Sequence, residues 1–229
     1  MKIKAIITGS TGMIGRAVLL ECLDNPYVSQ VLVINRRSSS MKHEKLKQII
    51  HEDLFNLSSI RNELSGYNTC FFCLGISSAG VSEDEYKHIT YDLTLSIAKT
   101  LLEMNPGMTF CYISGAGTDS SEKGRSMWAR IKGKTENALL DLKFKDSYML
   151  RPAFIQPRKG VRSRTKMYNV IYTLMIPLYP AMKYLPKYFT DSVLLAKTMI
   201  CVAQSGYDKK IIENAEINEI ARKQPSVSG

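Results

Sequence analysis

The chain has 229 residues, of which 45% are hydrophobic and 23% charged, values that fit one α/β domain with a sizeable core and exclude a fibrous or disordered chain. Its formal net charge of +10 suits an anionic ligand, but the basic residues are dispersed and accompany no helix-turn-helix or RNA-recognition pattern, so nucleic-acid binding is the least favoured reading. Five scattered cysteines read as free thiols of a cytoplasmic protein, and three histidines with no second cysteine pair suggest no metal site.

In chain order, short apolar runs alternate with longer amphipathic ones, the pattern of a parallel sheet covered by helices. A first strand over residues 4–8 leads into a helix over 12–23 that ends near Asn25-Pro26. Strands follow at 30–35 and 46–51, then a short helix near 57–64. A fourth strand, 69–74, precedes a long helix around 84–104. Within that strand Cys70-Phe71-Phe72-Cys73 matches C-x-x-C, yet residues three apart on a strand face opposite sides, so the pair reads as two buried thiols. The fifth strand covers 109–114, and a helix begun after Ser121 continues through 128–142. A sixth strand over 147–150 is stopped by Arg151-Pro152. The remainder reads as mostly helical, clearest at 191–204, with a last short strand near 210–213.

The uncharged stretch 167–182 falls short of the ~20 residues a membrane-spanning helix needs, and Pro177 and Pro180 interrupt it. It reads as a buried or dimer-facing segment, with a peripheral membrane contact or an apolar lid as alternatives. The fold expected is therefore α/β, a doubly wound, mostly parallel Rossmann sheet flanked by helices. It forms a single domain over residues 1–222, with 151–205 as a small helical substrate side and 223–229 as a polar tail. Monomer and homodimer both remain open.

Thr8-Gly9-Ser10-Thr11-Gly12-Met13-Ile14-Gly15 is the strongest local signal, because it follows the first strand and opens the first helix. Gly9 makes the tight turn, Gly12 lets a pyrophosphate approach the backbone, and Gly15 lets the helix close on the sheet. The helix N-terminus then presents N–H groups and a partial positive charge to the phosphates. The second strand ends in Asn35-Arg36-Arg37, where an NAD-binding chain usually places an acid for the ribose 2′-hydroxyl. Arg36 and Arg37 can instead fork onto a 2′-phosphate. One charge-assisted bond is worth about 1.5–3 kcal/mol, roughly 10- to 150-fold in affinity, which favours NADP(H) over NAD(H). Asp53 with Leu54, and Leu74 with Gly75, fall where the adenine edge and the cofactor backbone would pass.

With these residues in place the chain resembles the atypical short-chain dehydrogenase/reductases. It is most similar to their Tat-interacting-protein-like oxidoreductase branch, also described as nucleoside-diphosphate-sugar-epimerase-like. The resemblance spans nearly the whole chain. It rests on the loop from Thr8 to Gly15, Asn35-Arg36-Arg37, Cys73-Leu74-Gly75, Tyr112-Ile113-Ser114-Gly115-Ala116-Gly117, Trp128-Ala129-Arg130-Ile131-Lys132-Gly133 and Leu150-Arg151-Pro152. It implies a Ser/Tyr/Lys constellation in which lysine holds the nicotinamide ribose and tyrosine passes a proton to or from the substrate oxygen as hydride moves. Ser114 matches the serine, Lys132 matches the lysine, and Arg151-Pro152 joins the cofactor-binding set. The tyrosine position is Trp128, whose indole donates a hydrogen bond but is no proton acid near neutral pH.

Tyr179-Pro180-Ala181-Met182-Lys183 repeats the Tyr-x-x-x-Lys spacing too late in the chain and with a proline inside it, so it reads as a decoy. Tyr86, Tyr91 and Tyr112 lie on elements near the cleft, and Tyr112 reads as a core residue. Arg158, Arg162, Arg164 and Lys166 read as a solvated basic loop or as contacts for an anionic substrate group. Two functions follow. One is an NADP(H)-dependent oxidoreductase, or an epimerase-like enzyme, acting on a small carbonyl or hydroxyl substrate. The other is a non-catalytic NADP(H)-binding regulator whose 158–187 region responds to cofactor.

Overall fold

A computed structural model describes residues 2–37, 40–161 and 184–223. Its centre is a seven-stranded sheet built from β1 (Ile3–Thr8), β2 (Val28–Asn35), β3 (Leu46–Ile50), β4 (Thr69–Phe72), β5 (Thr109–Ile113), β6 (Asp146–Arg151) and β9 (Ile211–Glu213). The order is β3-β2-β1-β4-β5-β6-β9 and every pairing is parallel. This is the doubly wound α/β fold that the alternating pattern predicts.

The strands are almost continuously apolar because both faces of the sheet are covered. Ala5, Ile7, Val31, Val33, Phe71, Cys111 and Ile113 face one core, which is completed by α1 (Met13–Asp24) and the helix Ser192–Ser205. Ile6, Leu32, Ile34, Cys70, Phe72, Phe110 and Tyr112 face the other, under the 3-10 helix Ser58–Leu64 and the helices between β4 and β6. Cys70 lies in the second core and Cys73 packs against the first, so the C-x-x-C pair is split across the sheet as its spacing requires.

The long helix expected over 84–104 is three pieces: α2 (Glu83–Lys87), a π-helical turn (His88–Asp92) and α3 (Leu93–Met104). The next helix, α4 (Met127–Asp141), begins at Met127 rather than near Ser121. Instead of helix, residues 118–125 form a loop held by Asp119, whose carboxylate accepts from Ser121 N at 3.0 Å and Gly124 N at 2.6 Å. A second, two-stranded sheet was not legible beforehand. It pairs β7 (Phe154–Gln156) with β8 (Phe189–Asp191), also in parallel.

α5 (Ser192–Ser205) is capped by Asp191, whose Oδ1 accepts from Val193 N at 2.9 Å and Leu194 N at 2.8 Å. It buries Leu195, Met199 and Ile200 in the first core and packs against α1 and α6 (Asn214–Lys223). Among the described residues no helix is long and apolar enough to cross a membrane. The stretch 167–182, Arg162, Arg164, Lys166, Tyr179 with Lys183, and residues 224–229 of the polar tail lie outside the described residues.

Candidate functional site

Strand order reverses between β1 and β4, so their carboxyl ends border the crevice where such sheets take a ligand. The loop Gly9–Gly12 crosses this point. Gly9 has φ +68°, and a Cβ there would lie 2.7 Å from the carbonyl oxygen of Cys73 at the end of β4. A Cβ on Gly15 would lie 2.2 Å from Gly9 O, so the first turn of α1 is folded directly onto the loop. Gly12 is the N-cap of α1; no side chain caps the helix and its first turn holds no acid. The donors of that turn face the crevice region in a field that favours an anion.

The second and third strands supply the neighbouring rim. Arg36 and Arg37 leave the end of β2 exposed, and neither guanidinium makes an ion pair with a described residue. Asp53 is exposed and its Oδ1 accepts from Phe55 N at 2.9 Å, which shapes the turn after β3, while Leu54 and Leu74 pack against the second core. Gly75 is exposed just past β4. Thr8 Oγ1 and Asn35 Nδ2, at the ends of β1 and β2, are buried without a hydrogen-bond partner among the described residues. An uncapped helix end, a close-packed glycine loop and buried unpaired polar atoms at one strand-end crevice fit a dinucleotide.

The second cluster forms at the end of β5. Lys132, on α4, is half-buried and donates to Ser114 O at 2.9 Å and Ile113 O at 3.2 Å. Burial pushes its ammonium down to about 8, and nearby Glu136 partly opposes that shift. Ser114 is buried, and its hydroxyl donates to Leu150 O at 3.1 Å on β6. Trp128, one turn before Lys132, is half-buried with its benzo edge over the loop Gly115–Gly117; Cβ atoms on those glycines would meet it at 3.8 and 3.7 Å. Ser114, Lys132 and Trp128 are thus brought together, as their spacing implies.

Of the tyrosines, Tyr112 meets the cluster with its ring, whose centroid is 5.6 Å from Lys132 Nζ. Tyr112 and Tyr86 are buried in the core, and burial raises both phenols. Tyr91 lies under Lys134, whose Nζ is 5.0 Å from the ring centroid.

Arg151, expected to touch cofactor, is committed elsewhere. Its Nε donates to Glu136 at 3.1 Å and its Nη1 to Glu213 at 3.2 Å, joining α4, β6 and β9. Glu136 is fully buried, so this guanidinium is the partner of a core carboxylate. Pro152 contributes its carbonyl, which accepts from Ala116 N at 2.9 Å and so pins the Ser114–Gly117 turn. Arg158 is exposed and 3.7 Å from Asp191. The Ser10–Asn35 and Glu136–Arg151 pairs were missed by sequence reasoning, because each joins residues distant in the chain.

The comparisons with known proteins bear on the family and the fold. A family model described as the NAD dependent epimerase/dehydratase family matches residues 5–123. The protein fmp52, mitochondrial, of Emericella nidulans is 31% identical over 156 residues, 65% of each chain. The protein FMP52-2, mitochondrial, of Scheffersomyces stipitis is 28% identical over 233 residues, 96% of this chain and 98% of that one. In fold, a short chain dehydrogenase family protein from Francisella tularensis superposes with a TM-score of 0.61 at 17% identity, covering 90% of this chain and 93% of the other. The cytoplasmic location expected from the free thiols is overturned by relatives named as mitochondrial proteins, since reduced cysteines do not distinguish the two compartments. More than half of the sequence, including the loop and both strands that border it, matches the family model, and the chain belongs to the NAD dependent epimerase/dehydratase family.

Proposed function

We propose that the chain binds NADP(H) and catalyses hydride transfer at a carbonyl or hydroxyl carbon of a small substrate, epimerase-like chemistry included. The observation that carries this reading is the convergence of Ser114 and Lys132 at the end of β5, with only β4 between it and β1, the strand that leads into the glycine loop. The loop Gly9–Gly15 would hold the pyrophosphate, Arg36 and Arg37 the 2′-phosphate, and Asp53, Leu54, Leu74 and Gly75 would border the adenosine end. The same reading takes residues 1–222 as one domain with 151–205 as its substrate side.

When bound, the nicotinamide supplies or accepts the hydride. Lys132 uses two of its three N–H bonds on Ile113 O and Ser114 O, which leaves the third for a ribose hydroxyl. Ser114 polarises the substrate oxygen by turning its hydroxyl from Leu150 O towards it. Trp128 shields that end of the crevice and donates no proton, so the proton passes through water rather than a phenol.

Trp128 also favours a second reading, a non-catalytic NADP(H)-binding regulator. NADPH oxidation by wild type and by Trp128→Tyr over a panel of carbonyl compounds separates the two. The enzyme reading expects measurable wild-type turnover and a gain of about 10²- to 10⁴-fold in the variant, the usual worth of a general acid. Wild type that binds NADPH tightly and turns over none of the panel sides with the regulator.

A further inference from the structure

Tyr112 has no part in the roles above, yet its ring lies against the side chain that would hold the cofactor. It stands on β5 two residues before Ser114 and is 1% exposed, with the Lys132 ammonium over its face, 5.6 Å from the ring centroid. The ring is itself fixed. Phe72 on β4 packs on it with centroids 5.9 Å apart, and Thr135, three residues past Lys132 on α4, meets its phenol. Burial raises that phenol, so it stays protonated and offers neither a charge nor a proton near neutral pH. What it offers the lysine is a neutral aromatic face.

An ammonium over such a face is attracted by the electron-rich centre of the ring, and more strongly where water is excluded. Lys132 is a group on which that attraction acts against a cost, because burial disfavours its charged form. Its N–H bonds to Ile113 O and Ser114 O are part of the compensation. Glu136, one turn along α4, favours the ammonium as well, but Arg151 from β6 donates to that carboxylate at 3.1 Å. The ring adds a contact that depends on the lysine's charge and on the ring's electrons rather than on shape.

We propose that Tyr112 is a positioning residue for the cofactor-binding lysine: its ring face keeps Lys132 charged and seated over the end of β5, with the third N–H free for the ribose. The ribose contact rests on the NADP(H) reading above; the contact between ring and ammonium does not need it.

The test replaces Tyr112 in the full chain by phenylalanine and by phenylalanines carrying one, two and three ring fluorines, a series that keeps the ring's shape and drains electron density from its face. NMR of isotope-labelled lysine nitrogens reads the titration of Lys132, whose resonance is identified by its loss in Lys132→Met. Tyr112→Phe should titrate as wild type does. The fluorinated residues should lower the midpoint step by step, by about 0.4 to 1.5 pH units at three fluorines. The affinity for NADP⁺ at pH 9 should fall in the same order, by roughly 2- to 30-fold, whereas at pH 6, where the lysine is largely charged throughout, the series should converge. A midpoint that ignores the fluorines, or Tyr112→Phe shifting as far as the fluorinated residues, overturns the inference. A midpoint that falls while NADP⁺ affinity stays level across the series overturns the positioning role. Wild type that binds neither NADP⁺ nor NADPH overturns the NADP(H) reading instead, and the midpoints still decide whether the ring holds the lysine.

Discussion

Lys132 donates from its Nζ to the backbone carbonyl of Ser114 at 2.9 Å, so one side chain from α4 fastens the strand end that carries the hydroxyl it would work with. Burial holds this ammonium down to about 8, below the value of a lysine in an unfolded chain. The folded state thus releases the proton first, and between about 8 and the unfolded value the unfolded state binds more protons. Stability contributed by Lys132 must then rise with pH through that window. Other lysines, Lys159 and Lys210 among them, are shifted upward by their acidic partners and act in the opposite sense, so the comparison must be differential. Urea unfolding of wild type and Lys132→Met at pH 7 and again at pH 9.5 should show wild type gaining on the variant. A gap that stays constant or moves the other way would mean the ammonium is not held down.

Trp128 is the single tryptophan of the chain, and its edge over the Gly115–Gly117 loop puts the only indole beside the proposed nicotinamide end. Intrinsic emission is therefore a local reporter. Saturation with NADPH should quench Trp128 and transfer energy to the dihydronicotinamide. Adenosine 2′,5′-bisphosphate, which reaches only the other end, should leave the emission nearly unchanged. Equal responses to the two ligands would contradict the placement of the nicotinamide beside Trp128.

The Glu136–Arg151 pair predicts a stability effect with a defined sign. Glu136 is fully buried and the guanidinium is its cationic partner, so Arg151→Met strands a carboxylate in the core, at a cost of about 3–5 kcal/mol. The double variant Arg151→Met with Glu136→Met removes both charges and should recover most of that loss, because the penalty belongs to the unpaired charge rather than to the missing bridge. Chemical denaturation of the two variants and wild type checks it. Additive losses would assign the cost to packing alone.

Much of the fold was legible because a parallel sheet buried on both faces leaves unbroken apolar runs, such as Val31–Ile34, and because glycines fall where backbones touch. Ser114, Lys132 and Trp128 were legible as a set through one strand end and one helical turn. What failed was long-range. Arg151 looked like a ligand contact because nothing local shows that Glu136, fifteen positions earlier, lies buried behind it. The β7–β8 pair escaped because each strand has only three residues and the partners are far apart in sequence, so neither alone has a readable period. The π-helical turn at His88–Asp92 leaves no mark in an apolar pattern that either helix type would share.

Gly133 offers a final test, because it governs how closely α4 approaches the chain that follows β5. A Cβ at this position would fall 1.8 Å from the backbone carbonyl oxygen of Asp119, and backbone cannot swing aside as a flexible side chain can. Gly133→Ala must therefore push α4 away from the 118–120 turn, carrying Lys132, its immediate neighbour, off the carbonyls of Ile113 and Ser114. The variant should lose about 1–3 kcal/mol or more in urea unfolding, the usual cost of overpacking, together with a marked drop in NADPH affinity. Gly107→Ala is the control: a Cβ there meets nothing within 4 Å, and the change should stay within about 0.5 kcal/mol with binding intact. If Gly133→Ala matched Gly107→Ala in both measurements, α4 would not be seated as closely as Lys132 requires, and the grip on the Ser114 carbonyl would lose its structural support.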